Sequence, residues 1–471
     1  MKNKNILWNF FYQASYQVLV VMLPVITVPL VSRALQPEGI GTWNYINSIV
    51  SYFILVAGLG LSSYGVREIA FVRNDKKKLS ERFWEIQGFN VFFSSSILII
   101  YLIFSFFSKF SILFFLQSLV VLATLLDISW FFQGIEDFKM VSIVNAVVKI
   151  FTFILTIVLI RDQSDLNTYV GIMGFSSFLS GLAFWFFIKD KVFFVKVSLK
   201  KMWSHFVPAL SFFVVKVAST LFNNMNTTIL GVMTSMAVVG MFSNSLVLIM
   251  LITSLVNSLN TVLLPRMSSL EKENQEQEMI DLLGKAIDIQ VFMAVGCMFI
   301  VLGIISGVVD LFLGSSFREV VQIVPILVPV MLLATIQQAI ANMYLVPKNK
   351  IASYTRTIII GLVINIILCL LLVPNWGASG AAVGYTVGQF YLAFSRVIIL
   401  SKETTYRFNF KNLLLCCVAG ALAYLVIDLI NMTGLNGFIL TFTQGLLGLM
   451  VYTLMTLLLK VNPALELLKF K

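Results

Sequence analysis

The chain has 471 residues, of which 59% are hydrophobic and only 12% charged, with a formal net charge of +11 and one histidine. Its mean hydropathy is +0.94. Soluble globular domains carry ~25% charged residues, so this composition excludes a water-soluble enzyme and places the chain in a bilayer.

A spanning helix needs ~20 mostly apolar residues. In chain order, such windows fall at 8–31, 42–62, 87–107, 111–131, 141–160 and 168–188. A second set follows at 206–232, 238–263, 286–309, 321–345, 355–373 and 380–400, and a last pair at 412–430 and 438–459. Window length alone predicts about 14 helices. Barrel strands would be shorter and alternating, and a bilayer leaves no water for unpaired backbone groups, so the expected fold is an all-α integral membrane protein. The first apolar run is too long for a signal peptide and no small-residue cleavage site follows it, so it is expected to stay.

With the N-terminus inside, the inner connections gather most of the lysine and arginine. Arg67, Arg73, Lys76, Lys77, Lys78 and Arg82 fall in one, and Lys189, Lys191, Lys196, Lys200 and Lys201 in another. The outer connections keep only Arg33, Lys109, Arg161 and Arg318, which predicts cytoplasmic N- and C-termini. This asymmetry and attraction to anionic lipid account for the net charge without nucleic acid. Cys297, Cys369, Cys416 and Cys417 all fall inside predicted spans, so neither a disulfide framework nor a metal site is expected. His205, at an inner helix start, reads as an interfacial residue without catalytic partners. No phosphate-cradling glycine loop and no long outer connection is present, so an ATP-driven pump and an enzyme with a catalytic ectodomain are both disfavoured. A transporter is expected, with no catalytic residues.

"GIGTWNYINSIV" from Gly39 and "VVGMFSNSLVLI" from Val238 align with Gly41 over Gly240. The same offset places Arg67 over Arg266, each where its helix leaves the membrane on the inner side, and both are assigned to a cytoplasmic gate. Each half has an even number of spans, so the halves form a parallel pseudo-repeat of two six-helix lobes. The expected domains are an N-lobe at 1–190, a cytoplasmic linker at 191–204, a C-lobe at 205–402, and a helix pair with a tail at 403–471. "KDKVFFVKVSLKKMWSH" reads as a basic amphipathic linker helix on the inner interface, and "SSLEKENQEQEMIDLLGKAID" as a separate solvated helix.

Lys149 and Lys216 stand about 9 and 10 residues into their spans, ~14–15 Å from the inner edge. A lysine at that depth costs ~2.5–3.5 kcal/mol on insertion scales and should face protein or a wet cavity. Asp127 is the one nearby carboxylate, and one carboxylate cannot neutralise two lysines. The alternative is an anion site. Polar residues recur at helical spacing in several spans: Asn44, Asn47, Ser48 and Ser51; Thr220 and Asn223 with Asn226 beside them; Asn257 with Asn260; and Gln338 with Asn342. Interhelical hydrogen bonds explain any one such stripe. Four of them, in both halves, point to a hydrated lumen whose amides and hydroxyls suit sugar hydroxyls. Arg33, at the outer end of the first span, offers a guanidinium fork for phosphate oxygens, and Arg396, near the inner end of its span, is a further candidate for the same group.

"VPLVSRALQPEGIGTWNYINS", "GLGLSSYGVREIAFVRNDKKKLS", "NTTILGVMTSMAVVGMFSN", "LLPRMSSLEKENQ" and "PNWGASGAAVGYTVGQ" resemble, in order and spacing, the Wzx-type polysaccharide transporter branch of the multidrug/oligosaccharidyl-lipid/polysaccharide (MOP) exporter superfamily. The resemblance covers nearly the whole chain. It implies two lobes of the MATE-like fold, alternating access, and transfer of an undecaprenyl-diphosphate-linked oligosaccharide from the inner to the outer leaflet of a bacterial cytoplasmic membrane. It also implies that the pair at 412–459 helps form a groove for the lipid tail, and that polysaccharide assembly proteins are candidate partners. Coupling to Na+, H+ or the membrane potential is the expected energy source, with no other cofactor. Where the family branch often has an acidic residue in the seventh span, this chain reads "FNNMNTT". The competing classes are a drug or cation antiporter on the same scaffold, which central lysines oppose, and an enzyme or scaffold of polysaccharide assembly.

Overall fold

The computed structural model describes residues 2–433, 435–463 and 465; the end of the C-terminal tail lies outside the described residues. Regular structure among them is entirely helical. The helices are α1 (Lys2–Gly58), α2 (Leu61–Val72), α3 (Lys76–Phe107), α4 (Ser111–Leu126), α5 (Ser129–Gly134), α6 (Phe138–Leu159), α7 (Leu166–Ala183) and α8 (Leu199–Trp203). They continue with α9 (Phe206–Met233), α10 (Met236–Lys272), α11 (Glu276–Val308), α12 (Val320–Leu327), α13 (Pro329–Ile340), α14 (Ile351–Glu403), α15 (Phe410–Ile430) and α16 (Gly437–Leu458). Among the described residues, 12 helical stretches are long and apolar enough to cross a membrane.

Two of those stretches are far longer than one crossing needs. The 57-residue α1 breaks at Gln36, with φ 58° and ψ 173°. Gln36 precedes Pro37, whose ring pushes the preceding residue out of the helical region. Tyr16 and Ile54 line one cavity, whereas an unbroken helix would hold them ~57 Å apart; the chain therefore turns back on itself. The 53-residue α14 breaks at Gly377, with φ 50° and ψ −125°, a conformation that glycine adopts without steric cost. Beyond the break the helix returns along its own first half: Gly361 lies against Leu392 and Arg396 Nε donates to Thr357 Oγ1 at 3.2 Å.

Compact packing divides the chain between Asn224 and Met225, inside α9, and not in the basic segment 191–204 expected as the linker. The first unit is built on an aromatic knot. Phe83 stacks on Trp130 with centroids 5.7 Å apart and meets Trp84 and Phe131 edge-on. A Cβ on Gly65 would sit 2.5 Å from the Trp130 ring, so α2 and α5 approach this closely only because position 65 has no side chain. In the second unit the core joins α10, α11, α13, α15 and α16 through Met267, Leu283, Ile340, Ala419 and Tyr452. Tyr452 Oη donates to Phe292 O at 2.7 Å, which fixes the C-terminal pair to α11.

Two local expectations are corrected. Residues 268–288 form no separate helix. They are the end of α10 and the start of α11, interrupted only by a turn at 273–275 in which Asn274 takes φ 58°, as helix C-termini favour. In the basic segment only Leu199–Trp203 is helical; residues 187–198 are not. A step of about 200 residues carries the α2–α3 turn, between Val72 and Lys76, onto the α10–α11 turn, between Lys272 and Glu276.

Candidate functional site

α4 stops at Leu126, leaving terminal carbonyls without intrahelical partners. Side chains from other helices take them: Gln87 Nε2 donates to Leu125 O at 2.9 Å, Asn90 Nδ2 to Thr124 O at 3.1 Å, and Trp185 Nε1 to Leu126 O at 2.8 Å. The chain restarts as α5 after Asp127 and Ile128, with the Asp127 carboxylate accepting from Ser129 N at 2.8 Å. This break opens a cavity of ≈430 Å³ within the first unit, in the ~300–1,000 Å³ range of small-molecule sites.

Three charges line it: Lys149 from α6, Lys216 from α9 and Asp127. Lys149 lies ~17 Å and Lys216 ~15 Å along its helix from the N-terminal end, so both stand near the middle of a span. Both side chains are exposed to the cavity volume. Among the described residues no carboxylate lies within 4.0 Å of either ammonium, although ten lysine or arginine ion pairs occur elsewhere among them, from Arg73 with Glu136 to Lys350 with Glu403 at 2.8 Å. The ion pair between Asp127 and a lysine that the sequence allowed is therefore not formed. The wall beside Lys149 is amide and hydroxyl: Ser180 Oγ donates to Asn145 Oδ1 at 3.0 Å, and Thr152 and Ser176 share a hydrogen bond between their hydroxyls.

Other expected site residues lie elsewhere. Arg33 is exposed beside the Gln36 break, its carbonyl accepting from Gln36 Nε2 at 2.6 Å. Asn44 and Ser51 bond to carbonyls of their own helix, Ile40 O at 2.9 Å and Ser48 O at 2.6 Å; Asn47 and Asn223 are exposed, and Thr220 O accepts from Asn224. In the second unit, Asn226 is 1% exposed and donates to Ala381 O at 3.4 Å, while its own amide oxygen has no protein partner. Asn257 accepts from Asn260, which accepts in turn from Gln290 at 2.8 Å. Gln338 and Asn342 are half-buried. Arg396 is 1% exposed: Nη1 donates to the carbonyl and side-chain oxygens of Gln337, its guanidinium sits 4.8 Å over the Tyr354 ring, and Nη2 has no partner. In this conformation Arg396 is closed off by protein. Arg67 lies over Phe71 at 5.6 Å, and Arg266 pairs with Glu278 at 2.6 Å. His205 is buried within the protein: it is 2% exposed, with Nδ1 2.7 Å from Tyr64 Oη and Nε2 3.4 Å from Glu85.

Asn90, Asn145, Ser176, Ser177 and Ser180 line the cavity but were not singled out from sequence. A signal existed, since Asn145, Lys149 and Thr152 step by four and three along one face of α6, and Ser176 and Ser180 by four along α7.

Apolar helices enclosing a polar chamber lined by Lys149, Lys216 and Asp127 define a multi-pass membrane protein with an internal charged site. The chain belongs to the polysaccharide biosynthesis protein family, whose profile matches residues 6–271. The resemblance to the Wzx-type branch of the MOP superfamily is thereby borne out. A relative from Escherichia coli (strain K12), named for O-antigen transport, is 21% identical over 80% of this chain and 92% of its own length. A structure of the lipid II flippase MurJ superposes with a TM-score of 0.77 at 16% identity, covering 95% of this chain and 98% of that one. An inward-facing multidrug resistance transporter of the MATE family and MOP superfamily gives 0.60 at 14% identity, over 83% of this chain and 100% of its own. At such identities the structural likeness establishes the fold.

Proposed function

We propose that the protein is a flippase that carries a polyprenyl-diphosphate-linked oligosaccharide from the inner to the outer leaflet of the cytoplasmic membrane. Counting the folded-back α1 and α14 as two passes each gives 14 crossings, with both termini inside. Lys149 and Lys216 take the diphosphate, and the Asn145–Ser180 wall with Asn90 takes hydroxyls of the first sugar, while the prenyl chain stays in lipid. The observation that carries this reading is the pair of mid-span lysines sharing one cavity with no carboxylate within 4.0 Å among the described residues. Charged groups cost several kcal/mol at that depth, and an anionic ligand supplies the missing partner. The E. coli relative named for O-antigen transport and the lipid II flippase of the same fold support the same substrate class.

The test is flipping of undecaprenyl-diphosphate-linked saccharide in reconstituted vesicles. Hydrogen bonds to charged groups contribute ~1.5–3 kcal/mol, so Lys149→Ala and Lys216→Ala are each expected to slow transport about tenfold or more. Wild-type rates in both variants discard the diphosphate site.

A further inference from the structure

Residues 186–203 run from just beyond α7 through α8 and hold five lysines against one carboxylate, Asp190. Most of the segment is not helical, and non-helical backbone exposed to lipid is not tolerated in the hydrocarbon region. Its place is therefore the membrane surface. It is also fixed there: Phe193 N donates to Ser80 Oγ at 3.2 Å and Phe193 O accepts from Trp84 Nε1 at 3.0 Å, tying it to the first turns of α3.

Two of the lysines are spoken for, Lys191 by Asp137 at 3.5 Å and Lys201 by Glu85 at 3.5 Å. Lys189, Lys196 and Lys200 are exposed and have no carboxylate within 4.0 Å among the described residues. Between them stand apolar side chains open to the outside, Phe194 at 76% and Leu199 at 68% exposure. Trp203, against Phe89 and Phe92 with centroids 5.5 and 5.8 Å away, extends this apolar edge. Lys76 and Lys77 are exposed one turn before Ser80 on α3, so the pinned segment lies beside a further pair of exposed lysines at the α3 N-terminus.

We propose that this strap is a docking surface for anionic phospholipid headgroups. Interfacial aromatic and aliphatic side chains seat at the acyl boundary, and lysines beside them meet phosphate in the headgroup layer. The partner is membrane lipid and not free phosphate, because the apolar anchors alternate with the charges and have no role toward a small soluble anion. This site is separate from the cavity and does not rest on the cavity's ligand.

The test is native mass spectrometry of the full chain released from nanodiscs of mixed phosphatidylglycerol and phosphatidylcholine. Wild type is expected to retain phosphatidylglycerol in excess. The triple variant Lys189→Gln, Lys196→Gln, Lys200→Gln is expected to lose that excess by about fivefold, with helical content unchanged, while the matching Lys→Arg triple keeps it. The cavity variant Lys149→Ala is expected to retain the lipid as wild type does, which separates failure of this proposal from failure of the diphosphate site. Unchanged preference in the Gln triple overturns the proposal. So does displacement of the lipid by millimolar inorganic phosphate, which would mark a free-anion site.

Discussion

Asp127 is the residue that tempers the positive charge of the cavity. It faces the same volume as Lys149 and Lys216, yet its Oδ1 is held by the Ser129 amide and not by an ammonium. It lowers the positive potential at the site without occupying it. Two unit charges on the order of 10 Å apart at an effective dielectric of ~20 interact by ~2 kcal/mol. Asp127→Asn keeps an acceptor for Ser129 N and removes the charge, so the KM for a lipid-linked diphosphate is expected to fall about fivefold or more. An unchanged KM would show that the carboxylate does not feel the ligand. The lysines were legible in the sequence because a charge inside an apolar window is costly and conspicuous. Ser177 was not, since serine in a spanning helix commonly bonds its own backbone, as Ser177 does to Met173 O at 3.1 Å; Ser176 and Ser180 left only the fainter signal of their four-residue step along α7.

Helix extents followed from hydropathy because each window must fill one bilayer, and α6, α15 and α16 begin and end within about three residues of the expected limits. The windows could not see where polar residues prolong a helix: α10 and α11 run on through charged sequence and are pinned there by ion pairs. Lys348, just beyond α13, lies between Glu271 of α10 at 3.1 Å and Glu276 of α11 at 3.0 Å. Burial alone would lower its pKa, but hydrogen bonds to Glu276 and Glu271 raise it by more, so the net shift is upward. The contribution of these pairs is therefore complete below the unfolded value of ~10.4 and lost as pH rises through the folded one. After solvent screening it is worth about 1 kcal/mol. Lys348→Met should lose that amount in denaturant titrations near neutral pH, and wild type and variant should converge as pH rises past the raised folded-state value; a constant gap across that range would assign the loss to packing. Gly65→Ala is the steric counterpart. Its Cβ would meet Trp130 at 2.5 Å, overpacking that costs ~1–3 kcal/mol, visible as a lowered unfolding midpoint; an unaltered midpoint would show that the aromatic knot yields.

At the scale of the whole chain, the two-half organisation was legible from one glycine and one arginine repeated at a fixed offset, because a turn that serves one half serves its copy. The boundary between compact units was not, since α9 is one uninterrupted apolar helix and hydropathy cannot register which neighbours its two ends pack against. That helix carries Lys216 at mid-span, where a bound anion lies inside the transmembrane field. The cavity holds two ammonium groups and one carboxylate, so a doubly charged diphosphate leaves the loaded site net negative. An inside-negative potential favours outward movement of negative charge by ~2.3 kcal/mol per charge per 100 mV. Since the diphosphate crosses only part of the field between cavity and outer face, collapsing a potential of ~100 mV is expected to slow outward flipping by about three- to tenfold. The same collapse should leave Lys149→Ala, Lys216→Ala double-variant rates unaffected, because that variant does not hold the anion in the field. The measurement is flipping in vesicles with a potassium gradient, with and without valinomycin. Equal rates at both potentials would mean that the diphosphate travels with compensating cations, and that the lysines serve binding without electrogenic transfer.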